Sequence, residues 1–179
     1  MKEYIQKIKL EKGVNWISIN VDPFNKSIYD IFNYSKLNEG DTIKSQYKKV
    51  IFRKGKFKGD LKILEGNNMY IIYVNKGFDL IIKGHKINKT KSIKLKKGEN
   101  WFSYNSLKKT MIKNIIKNPL ENDYIKYKNK KIIYKDDKWT NDNELKFFEP
   151  NKGYIIYSNS EQKFSLIENL IIPNKEAVE

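Results

Sequence analysis

The sequence predicts an α+β, β-rich fold made of two tandem copies of one mostly antiparallel unit, each with one short helix. Three observations predict it: a long segment recurs in order, its apolar residues fall in short β-branched and aromatic runs, and turn residues separate those runs. The first copy spans Ile8 to Gly84 and the second Ile93 to Leu166. As domains, 1–84 is repeat unit 1, 85–92 a linker, 93–168 repeat unit 2 and 169–179 a C-terminal tail.

The recurrence lies in three blocks. Ile8-Lys-Leu-Glu-Lys-Gly-Val-Asn-Trp-Ile-Ser-Ile-Asn20 returns as Ile93-Lys-Leu-Lys-Lys-Gly-Glu-Asn-Trp-Phe-Ser-Tyr-Asn105. Asp41-Thr-Ile-Lys44 and Lys48-Lys-Val-Ile-Phe52 return as Asp123-Tyr-Ile-Lys126 and Lys130-Lys-Ile-Ile-Tyr134, with Phe57 answering Trp139. Leu61 to Asn75 returns as Leu145 to Asn159, and Phe78 and Leu80 match Phe164 and Leu166. The spacing drifts from 82 (Asp41 to Asp123) to 86 (Phe78 to Phe164), so insertions fall between blocks, where loops tolerate them.

Each block reads as a strand or hairpin. Gly13 and Asn15 mark a turn that enters a strand carrying Trp16, Ile17 and Ile19, and Tyr70-Ile-Ile-Tyr-Val74 is too short for a helix. Lys54-Gly55 and Asp136-Asp137 predict hairpin turns before Phe57 and Trp139. Ser27 is expected to cap a short helix bearing Ile28, Ile31 and Phe32, and Thr110 a matching one bearing Ile112, Ile115 and Ile116, ended by Pro119. Leu170-Ile-Ile-Pro173 is a short apolar stretch expected to lie along a neighbouring edge.

Composition excludes several classes. With no cysteine there is neither a disulfide framework nor thiolate chemistry, and His85 alone makes no metal site. No Gly-rich phosphate loop, nucleophile elbow or His-x-x-x-His pattern occurs, so no catalytic residue, no cofactor and no enzymatic activity is expected. No window approaches the ~20 apolar residues of a membrane span, and a chain starting at Met1 without a signal segment is expected to be made in the cytoplasm. The formal charge is +15, yet Arg53 is the only arginine among 36 basic residues and Ala177 the only alanine. An AT-rich coding sequence produces that bias without selection for a partner, and Lys lacks the bidentate contacts of Arg.

The order Lys-Gly-x-Asn-Trp-Ile-Ser-x-Asn, Gly40-Asp-Thr-Ile-Lys44-Ser-Gln46 and Glu149-Pro-Asn-Lys-Gly-Tyr154 resembles an uncharacterised tandem repeat module of bacterial surface or secreted proteins and phage-encoded proteins, with the pattern GWNWIS-N, GD-IK-Q and LEPGKGY-I. The resemblance covers nearly all of both copies and implies a non-enzymatic binding or structural module. The expected function is a structural or adhesive part of a larger assembly, a virus or phage particle that contacts protein or glycan. The alternative location is a cell surface, as part of a longer chain. The alternative function is nucleic-acid binding through lysine-rich hairpins carrying Lys48, Lys49, Lys130 and Lys131. Trp16 and Trp101 are expected in the core, Asp41 and Asp123 in turns, and Phe57 and Trp139 near hairpin tips, exposed for contact.

Overall fold

In the recurring Gly-x-Asn-Trp segment, glycine takes a left-handed conformation (Gly13 φ +96°, Gly98 φ +99°) that other residues adopt only under strain. The asparagine two residues later closes the turn. Asn15 Oδ1 accepts from the Glu11 N–H (2.9 Å) while its Nδ2 donates to the carbonyls of Glu11 (2.7 Å) and Gly13 (3.0 Å). Asn100 repeats this on Lys96 and Gly98. From these turns the chain enters β-structure throughout. The protein, described by a computed structural model over residues 3–32, 36–87, 92–140 and 145–165, is β-rich, with several antiparallel sheets and two four-residue helices.

In the first half, β1 (Tyr4–Leu10) leads to β2 (Gly13–Ser18), β3 (Val21–Pro23) and α1 (Ile28–Ile31), then β4 (Thr42–Lys44), β5 (Lys49–Arg53), β6 (Lys56–Gly59), β7 (Met69–Val74) and β8 (Phe78–Lys86). The second half runs β9 (Ser92–Leu95), β10 (Gly98–Ser103), β11 (Thr110–Met111), α2 (Ile112–Ile115), β12 (Tyr124–Tyr127), β13 (Lys130–Lys135), β14 (Lys138–Thr140), β15 (Phe147–Phe148), β16 (Gly153–Ser158) and β17 (Gln162–Ser165). One five-stranded sheet has the order β2-β7-β4-β5-β6 and the other β10-β16-β12-β13-β14. In the leading pair, Gly13 stands opposite Val74 and Trp16 opposite Ile71; in the other, Gly98 is opposite Ser158 and Trp101 opposite Ile155. Beside them β1 pairs with β8 and β9 with β17.

The expected hairpin turns are present. Lys54 and Gly55 both have positive φ (52° and 71°), as do Asp136 and Asp137 (49° and 60°), the backbone that a two-residue hairpin requires. The first core is largely aliphatic, with Ile17, Ile19, Ile43, Leu64, Ile72 and Leu80 among its members. The second has fewer members, so its rings Phe102, Tyr104, Phe148 and Tyr154 make up a larger share, with Tyr104 stacked on Phe148 at 5.5 Å.

One expectation about the helices needs correction. Ser27 does cap α1, its Oγ accepting from the Tyr29 N–H (3.2 Å), but Thr110 caps nothing. Thr110 lies in β11 opposite Phe148, and Tyr104 Oη donates to its hydroxyl (2.7 Å), leaving Met111 at the N-cap of α2 without a side-chain bond. Strand β8 continues past Gly84 through His85 and Lys86, opposite Asp22 and Val21. Gly84 is a point of close approach: a Cβ there would lie 2.1 Å from the Asp22 carbonyl oxygen. The tail expected at 169–179, Leu166 and the Leu170 to Pro173 stretch lie outside the described residues.

Candidate functional site

Strand alternation gives each five-stranded sheet two faces. Ile17 and Ile19 turn into the first core, so Trp16 and Ser18 face the other way; Phe102 and Tyr104 likewise leave Trp101 and Ser103 on the opposite face. Those opposite faces meet. Trp16, Met69 and Ile155 form a third apolar cluster with Ile71, Trp101 and Tyr127 packed against it, and Trp16 sits edge-on to Tyr127 at 6.1 Å. Trp16 is therefore buried as expected (8% exposed), but between the halves rather than inside the first, and Trp101 is only half-buried.

The contact closes both leading edge strands. The Ser18 N–H of β2 donates to the Asn151 carbonyl (3.0 Å), and Ser18 Oγ accepts from the Tyr104 N–H (2.8 Å) while donating to the Lys152 carbonyl. On β10 a side chain does the same: Gln46 Nε2 donates to the Glu99 carbonyl (2.9 Å) and its Oε1 accepts from the Trp101 N–H (3.1 Å). An unpaired strand edge is a template for aggregation, and each half removes it from the other. Gly153 makes the approach possible, since a Cβ there would lie 2.3 Å from Met69 Cγ and 2.7 Å from the Ile17 carbonyl oxygen.

The recurring polar residues brace turns and edges. Asp41 is buried, accepting from the N–H groups of Asn38 (2.9 Å) and Asn75 (2.8 Å); Asp123 accepts from those of Leu120 (2.9 Å) and Asn159 (2.8 Å). Asn75 Nδ2 reaches the Glu39 carbonyl and Asn159 Nδ2 that of Glu121. Tyr70 and Tyr154 hydroxyls accept from the Glu65 and Glu149 N–H groups, and burial raises both phenols above their ordinary range.

Of the side chains expected to make contacts, Phe57 is a correction. It is 4% exposed and lies in the first core against Phe52 (5.5 Å), because its cross-strand partner Phe52 also faces inward. Trp139 is half-buried, edge-on to Tyr134 at 5.4 Å and packed against the second core. Lys48, Lys49, Lys130 and Lys131 are exposed, at or beside the β4–β5 and β12–β13 turns. Strand register gives two of them direct partners: Lys44 stands opposite Lys49, and Lys126, of the same lysine string, opposite Lys131. Period-two spacing from Ile43 and Ile125 places these lysines on the face away from each core, where Lys44 stands opposite Ile71 and Lys126 opposite Ile155.

Aromatic rings accompany the lysines on the second sheet. Tyr124 stacks on Tyr157 at 4.9 Å, with Lys131 Nζ 4.0 Å from its ring centroid. Its hydroxyl donates to Glu99 Oε1 (2.7 Å), and desolvation together with that carboxylate pushes the phenol up to about 12. Among the described residues no group of His, Cys, Asp or Glu is placed to hold a metal ion, and no helix is long and apolar enough to cross a membrane. His85 stands in β8, edge-on to Phe24 at 4.7 Å. It lines an open depression of about 400 Å³ with Asp22, Gly66, Asn67, Lys86 and Ile87. The chain matches no family model, no curated protein and no solved structure.

Proposed function

We propose that the chain is a duplicated, non-catalytic module serving as a structural or adhesive part of a larger assembly, with a virus or phage particle as its setting and protein as its principal contact. The observation that carries this is the internal use of the recurring polar side chains. Asn15, Asp41, Tyr70 and Asn75, with Asn100, Asp123, Tyr154 and Asn159, hold backbone groups rather than converging on an open site. A binding enzyme turns such groups toward a ligand; a scaffold turns them inward.

The duplication itself is supported by the shared strand order, by Gly13–Val74 and Gly98–Ser158 as matching pairs, and by two-residue turns at the same place in both sheets. Mutual covering of β2 and β10 supports a rigid, two-unit body suited to assembly. Fractionating the native source by size at about 50 and about 200 mM salt tests the assembly. The chain is expected in a high-mass fraction at both, and a freely diffusing monomer would contradict the proposal. Duplication fails separately if, in an experimental structure, Trp16 and Trp101 do not superpose when the two units are overlaid.

A further inference from the structure

The cations on the sheet faces turned away from the two cores, with Lys44 opposite Ile71 and Lys126 opposite Ile155 of the contact between the halves, are arranged in a way that composition alone does not require. In the first sheet, Lys44 stands directly opposite Lys49 and Arg53 directly opposite Lys56. In the second, Lys126 is opposite Lys131 and Lys135 opposite Lys138. Like charges directly opposite one another destabilise a sheet, and both sheets carry two such pairs. Among the described residues, none of these side chains is in an ion pair, whereas Lys7, Lys9 and Lys83 of the β1–β8 sheet are paired with Asp79, Glu11 and Glu3. The nearest acids of the first hairpin are engaged with backbone: Glu39 accepts from the Lys54 N–H and Asp60 from the Lys49 N–H.

We infer that these paired cations form a binding surface for the phosphate backbone of double-stranded nucleic acid, read without regard to sequence. This goes beyond the proposed structural role and rests on different residues. Two pairs along β5 lie four residues, about 13 Å, apart, so each hairpin presents a repeated charge rather than a single site. A duplex carries one charge per about 1.7 Å of axis, denser than the roughly one per 3.3 Å that an extended acidic polypeptide can offer, and so better matched to cations held in opposed pairs. Duplex is favoured over single strands by this charge density; the ring among the lysines of the second sheet, Tyr124, is engaged with Tyr157 and Lys131, while Tyr47 in the β4–β5 turn is 81% exposed, which makes single-stranded DNA the competitor to test. Seven of the eight opposed cations are lysines, point charges suited to phosphates rather than to bidentate contacts with base edges, and Arg53 is the one guanidinium among them. The first hairpin is the stronger of the two, since its turn is Lys54-Gly55 where the second has Asp136-Asp137.

The test uses the full chain and a random-sequence DNA duplex, with affinity measured from about 50 to about 200 mM salt. Four phosphate contacts predict a slope of log K against log salt near −3.6 and a loss of about 10²-fold across that range. A Lys44→Gln, Lys49→Gln, Lys56→Gln variant is expected to lower the slope by about one per lysine. It should melt at or above the wild-type temperature, because opposed like charges have been removed. A variant with Lys9→Gln, Lys83→Gln and Lys86→Gln carries the same net charge and is expected to bind nearly as wild type. Equal weakening by both variants would reduce the binding to net charge and overturn the inference. So would a salt-independent affinity, or equally tight binding to poly-glutamate or to single-stranded DNA.

Discussion

The two five-stranded sheets share a strand order and a register but differ at the positions where they touch. Met69, opposite Ser18 in the first sheet, has Gly153 opposite Ser103 at the same place in the second. Ser18 bonds across to the other half, whereas Ser103 Oγ donates only to nearby Asn105. Gln46 covers an edge strand of the opposite sheet, while the corresponding turn of the second sheet offers Tyr127 to Trp16. The asymmetry teaches that two like surfaces cannot both be bulky where backbones approach: one side supplies a side chain and the other gives up its Cβ. Bracing within each sheet is under no such constraint, and Asp41 and Asp123 do the same work in both.

The comparison can be broken first at the hairpins. Phe57→Ala should cost about 3–5 kcal/mol of stability in denaturant unfolding, as for a large buried ring, and Trp139→Ala about 2 kcal/mol or less, since Trp139 keeps solvent contact. Equal losses would mean that the two hairpins pack alike. Next come the braces: Asp41→Ala and Asp123→Ala should each cost about 1–3 kcal/mol and by similar amounts, because each strands two backbone N–H groups. At the contact between halves, Ser18→Ala should cost about 1–2 kcal/mol and Ser103→Ala about 0.5 kcal/mol, the reverse order contradicting the asymmetry.

The smallest effect is one of pH. Glu149 is held below the usual carboxylate range chiefly by its hydrogen bond from Lys152 (2.6 Å), with Lys109 also nearby. A depressed carboxyl contributes stability above its unfolded value, near 4.3, and loses it as pH falls through the folded value. Thermal melting of Glu149→Gln should therefore fall less steeply in acid than wild type, and parallel curves would remove Glu149 from the account.

Much of the strand pattern was legible because turns depend on local chemistry: Lys54-Gly55 and Asp136-Asp137 adopt positive φ where the sequence marks a hairpin. The tryptophans were legible as buried but not as interface. Residues Trp16 to Ile19 are all buried, Ile17 and Ile19 by their own core and Trp16 and Ser18 by the other half, so the alternation that separates faces disappears. Phe57 was misplaced because a hairpin tip suggests solvent, whereas its register with Phe52 turns it inward. Thr110 failed as a cap because it stands one residue too early: Met111 occupies the N-cap of α2, and the Thr110 hydroxyl bonds with Tyr104 instead. Opposed lysines were invisible until strand register was known, since Lys44 and Lys49 are distant in pattern but neighbours in space.

Met69 and Gly153 fit together as one joint between otherwise like sheets, and a double-mutant cycle measures their coupling. Gly153→Ala in the wild-type background should cost about 1–3 kcal/mol, since its Cβ would meet Met69 Cγ and the Ile17 carbonyl. With Met69→Ala already in place the side-chain clash is gone, and the cost should fall by about 1 kcal/mol or more, the residue being the Ile17 contact. Additivity of the two substitutions within about 0.5 kcal/mol would contradict the joint and, with it, the account of how the halves are held together.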